Sequence, residues 1–298
     1  MSAQFHLFLP QMRMDMPTLV ERARAAEAAG FGGIALMDHL APPLADRHDM
    51  FDAMTTAAWL LAATERLRVG HLVLCDGFRH PAALARQAVT LDHASGGRFE
   101  LGIGWGSVPA EFETFGVSPV SARERVTRFA ETLDVVTALW TGEPVDFDGQ
   151  YHQLHQATQR PTPLDRIPIV IGGVGQRTLA QVAAHADWWN LPIYGLDRLA
   201  ELRPAAGDAR VSVQEMVALV SSEAERADTI ALAEKRFGGT NMGRTITIGT
   251  APELAEHFAR QVELGVERFY TWFLDFARPE TLDAFGAGVI APLGARPA

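Results

Sequence analysis

The hydrophobic pattern of the chain alternates between short apolar runs rich in β-branched or aromatic residues and longer Ala-, Leu- and Arg-rich segments with helical spacing. The short runs are apolar on both faces, as strands of a parallel sheet covered by helices require. They predict eight strands, at Gln4–Leu9, Gly33–Met37, Leu67–Leu74, Phe99–Gly104, Pro168–Ile171, Asp187–Leu191, Arg210–Val220 and Glu267–Leu274.

Helix-start signals fall between these runs. Ser121 with Glu124 and Thr250 with Glu253 have the spacing of capping boxes, and Pro81 opens another predicted helix. Strands that alternate with helices predict an α/β fold with a parallel sheet. The first interpretation is a (β/α)8 TIM barrel with insertions in the loops at the C-terminal ends of its strands, and the second is an open doubly wound sheet.

Two stretches depart from the alternation. Asp146–Leu154 carries Asp148-Gly149 between two β-prone arms, which predicts an inserted hairpin at about residues 144–155. A second insertion, of no predicted structure, covers about residues 237–248. No Pro-, Ser- or Gly-rich linker divides the chain, so we expect residues 1–298 to form a single domain.

Composition narrows the function classes. The chain has 298 residues, is 48% hydrophobic and carries a net charge of −10, which argues against nucleic-acid binding. Cys75 is the only cysteine, so an internal disulfide and a Cys-based zinc site are excluded, and a reducing cytoplasm is the expected location. We expect no membrane span, since no apolar run approaches about 18 residues.

Metal and Schiff-base chemistry have little support in the sequence. His152 and His155 lie in the predicted hairpin without an evident carboxylate partner, so no metal site is expected. The single lysine, Lys235, falls in a polar helical segment, which argues against a Schiff-base mechanism.

In a parallel barrel, functional side chains lie in the loops that follow the strands. Asp38 and His39 follow the second predicted strand directly. An acid beside a histidine at this place can hold a polar cofactor edge or transfer a proton, because histidine titrates near neutral pH. The alternative is a surface pair that caps the strand.

Two glycine clusters follow other predicted strands. Gly102, Gly104 and Gly106 lack the spacing of a dinucleotide fingerprint, and Trp105 between them either stacks on a ligand or shields the barrel mouth. Gly172-Gly173-Val174-Gly175 precedes a predicted helix that contains Arg177. Free N–H groups at a helix N-terminus attract phosphate, so this second cluster is the stronger anion signal, with a tight turn as the alternative.

Four blocks resemble, in this order, the bacterial luciferase-like monooxygenase superfamily, and most nearly its branch that uses the deazaflavin coenzyme F420. They are Asp38-His39, FRHPAALARQAVTLDHASGGRFELGIGWG from Phe78 to Gly106, LWTGEPVDFDGQYHQL from Leu139 to Leu154, and IPIVIGGVGQRTLAQVAAHADWWN from Ile167 to Asn190. The resemblance implies a (β/α)8 barrel with a flavin-type ring at the C-terminal mouth. It also implies a non-proline cis peptide that supports the ring near Leu72, Val73 and Leu74.

The same resemblance implies roles for the strand-end residues. Asp38 would help to fix the ring, and His39 would supply or take the proton that accompanies hydride transfer. The predicted cofactor contacts are Asp38, His39, Leu72, Val73 and Leu74 at the ring, Gly106, Gly172, Gly173 and Gly175 at the ribityl-phosphate arm, and Arg177 at the phosphate. Val174 and Trp105 in the same loops are predicted contacts as well, although Trp105 stands where these relatives have small residues. One departure is Ser107, since some F420 dehydrogenases of the family have a glutamate there, and this argues against a sugar-phosphate dehydrogenase.

The leading hypothesis is an F420-dependent oxidoreductase that transfers a hydride between the deazaflavin C5 and a small organic substrate. The alternatives are an FMN-dependent monooxygenase supplied by a separate reductase, a barrel that binds a flavin or F420 without catalysis, and a lyase or isomerase acting on a phosphorylated substrate. The resemblance also implies a homodimer. The loops expected to select the substrate follow Asp38, span Trp105–Phe115 and span Gly238–Thr245, with Trp272 and Phe273 as further candidates.

Overall fold

Twelve strands are present in the computed structural model, which describes residues 3–43, 47–118, 121–238 and 245–294. The strands are β1 Gln4–Phe8, β2 Gly33–Leu36, β3 Arg68–His71, β4 Leu74–Cys75, β5 Leu101–Gly104, β6 Val145–Asp148, β7 Gln153–Ala157, β8 Ile169–Gly172, β9 Trp188–Pro192, β10 Arg210–Leu219, β11 Thr247–Gly249 and β12 Arg268–Phe273.

The α-helices of the described residues separate these strands. They are α1 Met16–Ala28, α2 Ala53–Ala63, α3 Pro81–Ser95, α4 Pro109–Thr114, α5 Ala122–Leu139, α6 Gln176–His185, α7 Leu199–Leu202, α8 Glu223–Phe237, α9 Ala251–Glu263, α10 Pro279–Phe285 and α11 Ala291–Leu293. The two predicted capping boxes begin α5 and α9, where Ser121 and Thr250 are the N-caps. None of the described helices combines the length and apolarity needed to cross a bilayer.

The main sheet is parallel and closes into a barrel. Its order is β3-β2-β1-β12-β10-β9-β8-β5-β4. The short β4 continues β3 along the chain and pairs with β5, and a parallel bridge joins Val69 to Phe99, so the two ends of the sheet meet. The predicted (β/α)8 barrel is confirmed, and the open doubly wound alternative is wrong.

The third barrel strand differs from its prediction. A continuous strand was expected over Leu67–Leu74, but pairing with β2 ends at His71 and pairing with β5 begins at Leu74. The peptide bond between Leu72 and Val73 is cis, at the place that the resemblance implied. The strand therefore contacts the β5 side on both halves, first through the Val69–Phe99 bridge and then through β4, while its pairing with β2 stops at His71.

Two additions lie outside the eight barrel strands. β6 and β7 pair antiparallel, and the Glu131 carboxylate on α5 accepts the backbone N–H groups of Gln150, Tyr151 and His152 in the connecting turn. β11 pairs with β10 in the stretch expected to be a second insertion without structure. Residues 239–244 of that stretch lie outside the described part of the chain.

A buried ion pair lies at the N-terminal ends of the strands, away from the loops that follow them. Arg268 Nη1 is 2.8 Å from Glu100 Oε2, and Arg68 Nε is 2.6 Å from the other oxygen of the same carboxylate. Burial alone would raise the pKa of Glu100, but the charge of Arg268 and its cationic neighbours outweighs burial and lowers the pKa to about 2. The buried carboxylate and the two arginines thus neutralise one another, and loss of one partner would leave an uncompensated charge at this end of the barrel.

Candidate active site

A cavity of ≈ 500 Å³ opens at the C-terminal ends of the barrel strands. This volume falls in the range of small-molecule and cofactor sites. The loops after β2, β4, β5, β8 and β9 form its wall. Its lining includes all but one of the predicted cofactor contacts, namely Asp38, His39, Leu72, Val73, Leu74, Trp105, Gly106, Gly172, Gly173, Val174 and Gly175.

Asp38 is held by the protein itself. Its Oδ2 accepts the Cys75 backbone N–H at 2.8 Å, and the Arg79 guanidinium binds both carboxylate oxygens, with Nη2 3.0 Å from Oδ1. The side chain of Asp38 is 5% exposed. The geometry supports a role in which Asp38 ties the loop after β2 to the loop after β4.

His39 is paired with a carboxylate from another loop. Glu111, in α4, lies with its Oε2 2.8 Å from His39 Nδ1, while Oε1 accepts the backbone N–H groups of Leu40 at 2.6 Å and Ala41 at 3.2 Å. A carboxylate can only accept, so this hydrogen bond places a proton on Nδ1. In the neutral ring Nε2 is then the basic nitrogen, and it is the atom of His39 suited to exchange a proton with a ligand.

The glycines at the end of β5 and just after it are required by close contacts with neighbouring segments. A Cβ on Gly106, whose φ is +84°, would lie 2.7 Å from the Phe112 ring and 2.9 Å from Cys75 Sγ. A Cβ on Gly104 would lie 2.8 Å from Val73 Cγ2. These glycines allow three loops to meet closely at the cavity wall.

The glycines after β8 have a different environment. A Cβ on Gly172 or Gly175 would meet no described protein atom closer than 3.6 Å, so the missing side chains widen the cavity. Gly175 is the N-cap of α6 and brings no side-chain acceptor, whereas Asp15 and Ser222 cap α1 and α8 with their side chains. The first turn of α6 therefore meets the cavity without a side-chain cap, as an anion-binding helix end requires.

Trp105 is held by side chains from two helices, α6 and α5. Its indole Nε1 donates to Thr178 Oγ1 at 3.3 Å, and the Arg125 guanidinium lies 5.3 Å from the ring centroid. The indole ring lines the cavity, and Arg125 lies against the ring. This position fits both interpretations from the sequence, namely stacking on a ligand and shielding of the barrel mouth.

Arg177 is the one predicted cofactor contact that lies elsewhere. Its exposed side chain lines a neighbouring depression together with Arg123 and Tyr151. Gly175 and Thr178, on either side of it at the start of α6, line the first cavity, but Arg177 does not.

Two further observations concern nucleophilic and metal chemistry at the site. Cys75 lines the cavity, but burial raises the pKa of its thiol to about 12, so it is not a thiolate nucleophile at neutral pH. Across residues 3–43, 47–118, 121–238 and 245–294, no three His, Cys, Asp or Glu side chains cluster as metal ligands would.

Sequence reasoning missed two residues of this site. Glu111 was given no role of its own within Trp105–Phe115, yet it is buried and holds His39 across a separation of 72 positions. Arg79, the partner of Asp38, lies 41 positions away from it. The only signal was that both residues follow predicted strands, where loops from different parts of a barrel converge.

A second cavity, of ≈ 640 Å³, adjoins the first. His39 lines both cavities, and so do Met37, Leu72, Ser107 and Gln214. The His39–Glu111 pair therefore stands at the boundary between two spaces.

Comparison with known proteins places this geometry in context. The chain is 37% identical over 173 residues to an F420-dependent glucose-6-phosphate dehydrogenase of Nakamurella multipartita, a match covering 57% of this chain and 50% of that protein. It spans about half the length of the curated dehydrogenases of this type that it matches.

Two solved structures share the fold over almost the whole chain. One is an F420-dependent secondary alcohol dehydrogenase in complex with an F420–acetone adduct, with a TM-score of 0.80, 20% identity and coverage of 98% of this chain and 99% of that one. The other is an EDTA monooxygenase from Chelativorans sp. BNC1, with a TM-score of 0.83, 17% identity and coverage of 100% and 95%. The model of the luciferase-like monooxygenase family matches residues 2–206, and the chain belongs to that family.

Proposed function

We propose that this protein is an F420-dependent oxidoreductase that acts on a small organic substrate. The observation that carries the proposal is the His39–Glu111 pair at the boundary between a glycine-walled cavity and a second cavity. The similarity to F420-dependent glucose-6-phosphate dehydrogenases supports the choice of coenzyme.

The residues present fit a deazaflavin. The space left by Gly172 and Gly175 and the uncapped first turn of α6 suit a phosphate-bearing arm, and Leu72, Val73 and Leu74 offer an apolar wall for a planar ring. When bound, the coenzyme would exchange a hydride at its C5 position with the substrate. The barrel would orient the ring and exclude water from it.

The protein residues then have distinct tasks. His39 Nε2 would take or supply the proton that accompanies hydride transfer. Glu111 would hold the ring of His39 and select the tautomer with a proton on Nδ1. Asp38 would act as a positioning residue, since its carboxylate is engaged by Arg79 and by the Cys75 backbone.

The first experiment is a titration of the purified protein with F420 and, separately, with FMN, followed by quenching of the fluorescence of each coenzyme. Tight binding of F420 alone is the expected result. Tight binding of FMN alone would replace the proposal with the alternative of an FMN-dependent monooxygenase served by a separate reductase. Binding of neither would refute the cofactor assignment.

The second experiment tests His39 in a protein that binds the coenzyme. We expect His39→Ala to lower kcat by roughly 10²- to 10⁴-fold, the usual contribution of a proton-transfer residue, while the coenzyme Kd stays within a few-fold of wild type. Coenzyme binding without turnover in the wild type, across a screen of alcohols, enones and imines, would favour the non-catalytic alternative. A homodimer and a cytoplasmic location stay predictions. Sedimentation velocity would test the homodimer.

A further inference from the structure

The second cavity has a mostly apolar wall. Its apolar side chains come from the ends of β1, β2, β10 and β12, from α8 and from the loops after strands, and they are Phe8, Met12, Met37, Pro43, Leu72, Val108, Met216, Phe237, Trp272, Leu274 and Phe276. Six of the described lining residues are polar or charged, and two of these six are arginines. Such a lining selects for a ligand with an apolar body.

Two arginines lie against the same aromatic ring in this wall. The guanidinium carbon of Arg13 is 5.6 Å from the centroid of Phe276, and that of Arg236 is 5.7 Å from it. Arg236 Nη1 also donates to the Leu274 carbonyl at 2.6 Å, which fixes its direction. Both guanidinium groups therefore lie around Phe276, at the end of the cavity formed by the loop after β1, by α8 and by the loop after β12.

The backbone at this place is in an uncommon conformation. Arg13 and Phe276 both have a φ of +61°, and Ala277 has a φ of +57°. Only one other described non-glycine residue has a positive φ. Residues other than glycine rarely adopt a positive φ, and where they do, the surrounding structure holds the backbone in that conformation, often at ligand sites. The loops that present both arginines are therefore held in a defined shape.

The charge at this end of the cavity is unbalanced. No Asp or Glu is among the described residues that line it, although the whole chain has a net charge of −10. Burial and the neighbouring charge of Arg13 lower the pKa of Arg236, and the nearby Asp275 opposes them only in part. The Asp275 carboxylate is itself engaged by the Ala277 N–H and the Thr281 hydroxyl. An anion between the arginines would relieve their repulsion.

The same wall argues against a sugar phosphate. A sugar would bury several hydroxyl groups, and each one without a hydrogen-bond partner costs free energy. Gln214, Ser107, His39 and His48 are the uncharged polar residues or histidines of the lining, spread among the apolar side chains. A single anionic group at one end of an apolar body matches the arrangement better.

We propose that the second cavity binds an organic acid, with its apolar body against Trp272 and the methionines and its carboxylate between Arg13 and Arg236. This proposal rests on the proposed function, because it names the substrate class of the oxidoreductase whose proton-transfer residue, His39, separates the two cavities. Arg13 and Arg236 are assigned here as specificity-determining residues.

The test compares octanoate with octanamide by isothermal titration calorimetry, on the F420-loaded protein and on the protein alone. The two probes share the apolar body and differ in charge. We expect octanoate to bind roughly tenfold or more tightly, the value of a charge-assisted hydrogen bond, and glucose 6-phosphate to show no binding in the second cavity. Equal affinities, or no binding of either probe, would overturn the proposal on the wild-type protein alone.

Matched variants locate the effect. The double variant Arg13→Gln with Arg236→Gln should bring the two affinities to within a few-fold, while Arg13→Lys with Arg236→Lys should keep part of the preference for octanoate. Arg198→Gln is the control, since Arg198 is exposed and pairs only locally with Glu201. A preference that persists in the Gln double variant would assign the anion to another site.

The two proposals can fail separately. If F420 does not bind but octanoate still binds better than octanamide in an Arg-dependent way, the proposed function fails and the organic-acid cavity stands. If F420 binds with its usual quenching and the probes bind equally, the substrate class fails and the coenzyme assignment stands. Thermal unfolding midpoints and F420 affinity of each variant report whether its fold is intact.

Discussion

At the scale of single residues, the Glu111 carboxylate contacts both the side chain of His39 and the backbone that follows it. One oxygen orders the backbone after His39 through Leu40 and Ala41, and the other holds the His39 ring. A side chain that fixes both the ring of a histidine and the loop carrying it determines where the second ring nitrogen lies. Loss of the Glu111 charge should therefore lower turnover through its effect on His39, and it should leave coenzyme binding unchanged.

We predict that Glu111→Gln lowers kcat by roughly 10- to 100-fold, the usual effect of losing a supporting contact to a functional histidine. The amide can keep the backbone contacts, but its NH2 group would face Nδ1 as a donor and favour the opposite tautomer of His39. Steady-state kinetics together with a coenzyme titration measure this. Glu113→Gln is the control, since Glu113 is exposed on the same helix. Equal kcat values for the two variants would remove Glu111 from the mechanism.

At the scale of elements, the third barrel strand and β5 meet at backbone distance. A Cβ on Gly102 would lie 1.7 Å from the His71 carbonyl oxygen, and a Cβ on Gly70 would lie 2.7 Å from the Glu100 carbonyl oxygen. Neither obstacle is a side chain that could turn away. This close approach joins the two ends of the sheet, so closure of the barrel depends on glycine here.

We predict that Gly102→Ala destabilises the protein by roughly 4 kcal/mol or more, because two backbones would have to separate. The control is Gly96→Ala at the end of α3, where φ is +66° and no atom lies within 4 Å of the added Cβ. That change should cost only about 1 kcal/mol, the strain of a left-handed residue. Urea unfolding of both variants tests the contrast, and similar losses for the two would contradict a steric role for Gly102.

At the scale of the whole molecule, the sequence predicted the barrel well and the site in part. The eight strands were found because each is apolar on both faces and bounded by helix signals. The break of the third strand after His71 and the pairing of β11 were missed, since they depend on neighbours distant in sequence. Asp38 and His39 were found by position after a strand, but Glu111 was missed because only the folded chain brings it to His39.

Stability against acid is a property of the whole molecule that follows from its buried histidines. Burial lowers the pKa of His71 to about 4 and that of His6 well below 6.5. The neutral rings are thus favoured in the folded protein, while the unfolded chain takes up protons below about pH 6.5. Stability is therefore fully present above this pH and is lost as pH falls toward the folded-state pKa values.

For His71 alone, we predict a loss of about 2 kcal/mol between pH 7 and pH 5, since each unit of pKa difference corresponds to about 1.4 kcal/mol. Urea unfolding at the two pH values should show this loss in the wild type, and His71→Leu should lessen it by that amount whatever its own stability at pH 7. His155→Leu, at an exposed position on β7, is the matched control and should keep the wild-type pH dependence. An unchanged pH dependence in His71→Leu would mean that the loss between pH 7 and pH 5 arises from other groups. His6 and His152 would be the next to test, since burial also lowers the pKa of each below 6.5.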